Sequence, residues 1–325
     1  MKHVARRIRN SAQKIRVQSR RTLATLSPRS SLTVFMYHSV TEDATRNWGP
    51  WRYAVTPTEF EEHISIIAEQ YNVVTMDDVS DHISDSSYLL PENAAVVTFD
   101  DGYRDTLTQA VPVLERYGVP ATIYVTTDLI GDPYGPFEFR LAEALRSRSG
   151  QSISISDLDL ELPDSIPTNP KRAYRLLRKS GKWESPEQRA EILGIIEDEE
   201  LAGAPMLDVE EIQSLSEHKL ITVGAHAHYH VPLTTLSEDE LLKNIMRCVT
   251  TLQNISREPI EHFSYPYGAY DSNVKRAVQH SGMVTSVTTS PEVIFSDDIA
   301  QRNMVIPRID GGRYSVYPSV RHSIL

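Results

Sequence analysis

The chain has 325 residues, 40% hydrophobic and 24% charged, the proportions of an ordinary globular protein with enough material for one large core or two small ones. Its one cysteine, Cys248, excludes an internal disulfide framework and a thiolate metal cluster, so any metal site must use His, Asp and Glu. Residues 1–30 hold nine of the 33 Lys and Arg and no acid; the rest carries 24 basic and 44 acidic side chains, a body too acidic for nucleic acid to be its main partner.

In the basic arm, Val4, Ile8, Ala12 and Ile15 fall near one helical face among Arg and Lys. That suits either a solvated helix or a peripheral tether to a membrane surface. The first longer apolar run, LTVFMY at 32–37, reads as a strand and is too short for a signal-peptide core or a membrane span. The expected location is therefore the cytoplasm, with docking on the inner membrane face as the alternative. Residues 56–71 read as a helix, with Thr56 as N-cap, Pro57 in the first turn and Phe60, Ile64 and Ile67 on one face. AAVVTF (94–99) is a buried strand that runs straight into Asp100, Asp101 and Gly102. Two adjacent carboxylates at a strand end repel each other and lose solvation, which calls for a compensating cation.

A helix is expected over 105–118, ending at Gly118 with Pro112 as an internal irregularity, and a strand over 121–127. Residues 133–205 break the rhythm. They read as a helical insertion, with helices near 137–147, 168–180 and 185–198 and no strong catalytic signature. Alternation then resumes with helix 208–217, strand 220–225, helix 237–256, strand 262–266, helix 271–281, strand 283–289 and a last short strand, MVIPRI, at 304–309. Strands alternating with helices at this spacing imply a parallel sheet, open or closed into a barrel, whose chemistry sits at the carboxyl ends of the strands.

Three of those ends look alike: FDDGY, GAHAHYH and YPYGAYD. In GAHAHYH an extended backbone would place His226, His228 and His230 on one face, whereas a helical turn would bring His226 and His230 together and send His228 elsewhere. The second option offers two imidazoles to one ion, as H-x-x-x-H ligands do in zinc sites. One of Asp100 and Asp101 can complete a His, His, Asp site with open positions, and the other can serve as general base. The donor set suits zinc, with cobalt, nickel or manganese as alternatives.

These motifs resemble those of the NodB-type polysaccharide deacetylases, carbohydrate esterase family four, over most of 32–125 and 206–310. The family's T-F-D-D-G is matched at 98–102, which implies Asp100 as catalytic base and Asp101 as metal ligand. Its H-[ST]-x-x-H is matched at 226–230, except that Ala227 replaces the hydroxyl residue that braces the loop. FSYPYG retains Pro266, Tyr267 and Gly268 of R-x-x-P-Y, with Phe263 where the Arg would stand, as in one branch of the family. The Tyr267 backbone N–H then looks like the oxyanion donor.

The family's fourth motif and its fifth, the late L-x-H, are absent from the C-terminal part, but M-Y-H occurs at 36–38, so the chain resembles a circularly permuted branch with His38 as general acid. Arg308 resembles the late-strand arginine that positions the base. Tyr37, Trp48, Trp51 and Tyr53 either stack on sugar rings or form ordinary core and rim, with Trp51, Pro266 and Tyr267 as the expected substrate contacts.

The resemblance implies a distorted (β/α) barrel of about seven parallel strands spanning 31–325. It also implies removal of N-acetyl groups from an amino-sugar glycan. Hydrolysis of a small non-sugar amide or an O-acetyl ester is the rival within enzymes. A glycan-binding protein that has lost turnover is the rival outside them, supported by Ala227, Phe263 and the missing fourth motif.

Overall fold

The structure is a computed structural model that describes residues 30–43, 54–85, 87–147, 185–196 and 203–313. Nearly all of the basic arm, Trp48, Trp51, Tyr53 and the helix expected at 168–180 lie outside the described residues. Among the described residues, no helix is long and apolar enough to cross a membrane.

The strands are β1 (Ser31–Tyr37), β2 (Ser39–Val40), β3 (Ala54–Val55), β4 (Asn72–Val73), β5 (Ala94–Phe99), β6 (Ala121–Val125), β7 (Ile221–Ala225), β8 (His262–Ser264), β9 (Thr285–Val287), β10 (Ile294–Phe295) and β11 (Ile309–Asp310). Seven of them, in the spatial order β11-β1-β5-β6-β7-β8-β9, are mutually parallel. The short β4 adds to the start of β5, and β10 pairs antiparallel with the start of β1. Because Ile306 bridges Val287 beyond β9 while Ile309–Asp310 pairs with β1, the segment 306–310 links the two ends of the curled sheet. The expected distorted barrel of about seven strands is the observed architecture.

The strands read as continuous apolar runs because both faces are covered. Along β1 and β5, Leu32, Val34, Ala94 and Val96 join Tyr124 and Ile306 in one cluster. The alternate residues Phe35, Tyr37, Val97 and Phe99 join the helices in a second, larger cluster. The helix Pro57–Gln70 buries Phe60, Ile64 and Ile67 as its spacing predicts, and Thr56 and Glu59 form a reciprocal capping box at its start. Each of those three side chains contributes about 1.5–3 kcal/mol by leaving water.

Differences from the sequence reading have local causes. The helix expected at 105–118 opens with a wide π turn, Thr106–Ala110, before the regular turns Val111–Tyr117. Pro112 has no N–H to extend a regular ladder back through this turn, and Gly118 closes the helix in the left-handed conformation. Of MVIPRI only Ile306, through an isolated bridge, and Ile309, the first residue of β11, pair with a strand, since Pro307 cannot donate to a ladder. The helix Met76–Ser84, capped by Thr75 and Asp78, was not expected, although T-M-D-D is a start signal. Within the insertion, helices Phe137–Ser147 and Pro186–Ile196 form close to where they were expected.

Candidate active site

The register of the sheet brings the expected residues to one rim. Tyr37 pairs with Phe99, Val125 with Ala225, and Ala225 with Phe263, so His38, Asp100, His226 and Ser264 sit at or just past neighbouring strand ends. Asp100 donates its backbone N–H to the Tyr37 carbonyl at 2.9 Å. Asp101 then adopts φ +73° and Gly102 φ +87°. An aspartate tolerates the left-handed region, and a second such step favours glycine.

Asp101 Oδ1 lies 3.4 Å from His226 Nε2 and 3.4 Å from His230 Nε2. This oxygen is buried and has no hydrogen-bond partner. The Nδ1 of His226 is 2.7 Å from the Ser264 carbonyl, which can only accept, so Nδ1 carries the proton and Nε2 presents its lone pair to Asp101. One ligand atom from each of Asp101, His226 and His230 falls within 4.8 Å of the others. A buried carboxylate oxygen facing an imidazole lone pair needs a proton or a cation between them, and the N, N, O set fits a first-row divalent ion. Burial alone would raise the Asp101 pKa, but the facing His230 and His226 outweigh it and hold the carboxyl low.

His228 points elsewhere. Its Nδ1 contacts Thr127 Oγ1 at 2.9 Å, and burial, followed by the Arg247 charge, pushes its pKa down to about 4. The pairing of His226 with His230 is therefore as the i, i+4 spacing suggested, but the backbone is not helical. Ala227 stands at φ +65° in the middle of the loop. Asn244, on the helix Glu238–Ile255, holds that loop by accepting the N–H groups of His228 (2.7 Å) and Tyr229 (3.2 Å).

Arg308 is fully buried and grips Asp100 with both ends of its fork, at 2.7 Å to Oδ1 and 2.6 Å to Oδ2. It also donates to Thr98 Oγ1, Ser264 Oγ and the Thr288 carbonyl. Burial raises the Asp100 pKa, but Arg308 and then His226 lower it further, so the carboxyl stays ionised.

His38 is half-buried just past the end of β1, where a positive charge on it would favour the ionised forms of Asp100, Asp101 and Asp310. Tyr37 is not a groove residue; it is buried edge-on to Phe60 with ring centroids 5.2 Å apart. Pro266 is buried in the turn after β8, Tyr267 is at φ +59°, and the Tyr267 ring lies 4.6 Å from that of His230.

Sequence reasoning missed Asn244, Asp310 and two residues of the insertion, Glu138 and Arg189. Tyr267 Oη donates to Glu138 Oε1, and Arg189 donates to both Tyr267 Oη (2.8 Å) and the His230 carbonyl. A family profile described as polysaccharide deacetylase matches residues 89–286. The chain belongs to the polysaccharide deacetylase family. Its activity class is deacetylation, and the family implies a glycan substrate.

Among the deacetylase relatives is YxkH of Bacillus subtilis (strain 168), which carries polysaccharide deacetylase as a provisional name. It is 20% identical over 292 residues, 89% of this chain and 76% of that protein. Two solved structures share the fold. IcaB from Ammonifex degensii has a TM-score of 0.59 at 18% identity, covering 91% of this chain and 95% of that one. The Streptococcus pyogenes deacetylase PplD, solved with acetate, has a TM-score of 0.57 at 16% identity, covering 87% and 93%.

Proposed function

We infer that the protein removes N-acetyl groups from amino sugars of a polysaccharide or glycan precursor, with one divalent ion, zinc by its donor set, held by Asp101, His226 and His230. The observation that carries this reading is the Asp101, His226 and His230 cluster set beside an Asp100 locked by Arg308. An ion held there would supply Lewis acidity to the acetamide carbonyl and lower the pKa of water.

The chain's own residues do the rest. Asp100, ionised and aligned by Arg308, takes the proton of the attacking water. The Tyr267 backbone N–H donates to the carbonyl oxygen as negative charge develops on it. His38 gives a proton to the amine as the C–N bond breaks, releasing acetate and a free amino sugar. The position of the M-Y-H strand directly beside β5 supports the circularly permuted chain order.

Two of the three departures from the family pattern that support a binding protein without turnover have counterparts elsewhere in this chain. Ala227 lacks the hydroxyl that braces the histidine loop, but Asn244 supports that loop from the neighbouring helix. Phe263 stands where the arginine of R-x-x-P-Y would be, but Arg308 places a buried guanidinium on Asp100. Both observations favour the enzyme.

The test is acetate release from an acetylated amino-sugar oligomer by protein loaded with zinc. Asp100→Asn should keep the ion and lose turnover by about 10²–10⁴-fold. Release that persists unchanged in this variant, or an unaltered protein that binds no divalent ion, would sink the reading. Release only from O-acetyl esters or small amides would select the rival substrate class.

A further inference from the structure

Two charged side chains of the insertion are buried against this site, although neither belongs to a recognisable motif. Glu138 lies in the first turn of the helix Phe137–Ser147 and Arg189 on the helix Pro186–Ile196, at 6% and 7% exposure. Charges buried this deeply need partners. Those of Glu138 and Arg189 are residues of the two loops that follow β7 and β8.

Arg189 Nη1 donates to the His230 carbonyl, and its Nη2 donates to Tyr267 Oη at 2.8 Å. Tyr267 Oη in turn donates to Glu138 Oε1, while the guanidinium lies 3.7 Å from that same oxygen. The four residues form a closed circuit, because Glu138 Oε2 lies 3.8 Å from His230 Nδ1.

The two candidate imidazole ligands are supported differently. His226 Nδ1 donates to a backbone carbonyl fixed by the sheet. His230 Nδ1 is buried and has no hydrogen-bond partner. An imidazole that binds through Nε2 carries its proton on Nδ1 and needs an acceptor there, most often a carboxylate or carbonyl. The nearby carboxylate is Glu138, about 1 Å beyond hydrogen-bond length.

The geometry points to Glu138 and Arg189 as positioning residues of the deacetylase site. Glu138 orients His230 by accepting its Nδ1 proton, and Arg189 fastens the His230 and Tyr267 loops to each other. The insertion thus supplies the outer support of the metal site. This inference rests on the metal-dependent reading above.

The experiment measures the affinity of the full chain for zinc by competition with a chromophoric chelator, and separately the melting temperature of the metal-free protein. Glu138→Met/Arg189→Met replaces the charge pair together, so that neither charge is left buried alone. It should melt near the parent yet bind zinc about 10–100-fold more weakly. Glu138→Gln keeps the shape and an acceptor but not the charge, and should lose several-fold. His226→Ala, as control, should abolish binding. Affinity within about twofold of the parent in either variant, with binding abolished in the control, overturns the inference and leaves the metal reading intact. Undiminished binding by His226→Ala overturns the metal reading itself, and this inference with it.

Discussion

Arg308→Met isolates the strongest electrostatic contact of the site. Arg308 has no exposure to solvent and donates to five acceptors: both oxygens of Asp100, Thr98 Oγ1, Ser264 Oγ and the Thr288 carbonyl. Methionine fills much of the volume and satisfies none of them. Asp100, only 3% exposed, would keep the Ser264 hydroxyl at 3.2 Å and lose its counter-charge. Removing one partner of a buried pair costs about 3–5 kcal/mol, a large part of a total stability of about 5–15 kcal/mol.

The pH dependence of this loss has a definite sign in metal-free protein. In the parent, the Asp100 pKa is depressed, so its contribution is present above the unfolded carboxylate value and disappears as pH falls through the folded one. In the variant, burial acts unopposed by Arg308 and raises that pKa, so protonation on acidification relieves the buried charge. The stability deficit of Arg308→Met should therefore narrow between pH 7 and pH 5. Urea denaturation midpoints at both pH values, with chelator present, measure it. A deficit below about 1 kcal/mol at pH 7, or one of equal size at both pH values, would refute the assignment of Arg308 as the clamp on Asp100.

Asn244→Ala should leave the His228 and Tyr229 N–H groups without their acceptor and cost about 1–3 kcal/mol for each that stays dry, with weaker zinc binding; Asn244→Asp, which keeps an acceptor, should retain more of both. Thermal melts and zinc titrations check the pair. His38→Ala should bind zinc normally, lose turnover by about 10²–10⁴-fold and flatten the alkaline limb of the pH–rate profile; an unchanged profile would remove His38 from the mechanism. Cys248 is fully buried, and burial pushes its thiol pKa up to about 12, so a thiol reagent at pH 8 should label it only on unfolding. Rapid labelling of folded protein would contradict the packing of the helix Glu238–Ile255.

What the sequence displayed openly was whatever depends on neighbours along the chain. Capping residues and apolar spacing located the helices at 57–70, 209–217 and 238–255 to within a residue or two. Motif spacing singled out Asp100, Asp101, His226 and His230. The partners of those residues were hidden because they come from far away. Asn244 supports a loop 15–16 residues earlier through one amide oxygen, and asparagine on a helix carries no signal of its own. Glu138 and Arg189 meet Tyr267 across 129 and 78 residues, from a segment that reads as plain helix without a catalytic signature. The helical reading of GAHAHYH paired His226 with His230, and the two do come together, but for a reason other than the helical turn it assumed. A left-handed Ala227, rather than a turn of helix, brings His226 and His230 together.

That left-handed residue belongs to a pattern. Among the described residues, four other than glycine have positive φ: Asn93, Asp101, Ala227 and Tyr267. The last three each sit in one of the loops that build the site. Such conformations cost on the order of 1–3 kcal/mol apiece and persist only where the surroundings over-determine them. The end of β6 supplies much of that support while contributing no candidate catalytic side chain. Thr126 N–H bonds the Asp101 carbonyl at 3.3 Å, Thr127 N–H bonds the Ala227 carbonyl at 3.2 Å, and Asp128 N–H bonds the His228 carbonyl at 3.0 Å. From the other side, His226 N–H returns to the Val125 carbonyl at 3.0 Å, and Thr126 Oγ1 bonds the His226 carbonyl at 3.2 Å. One strand end between the two motif strands therefore holds both Asp101 and the histidine loop in conformations neither would keep alone. The separation of Asp101 from His226 and His230 is set by backbone hydrogen bonds at the end of β6, and the same pairing that builds the barrel brings the candidate ligand cluster together.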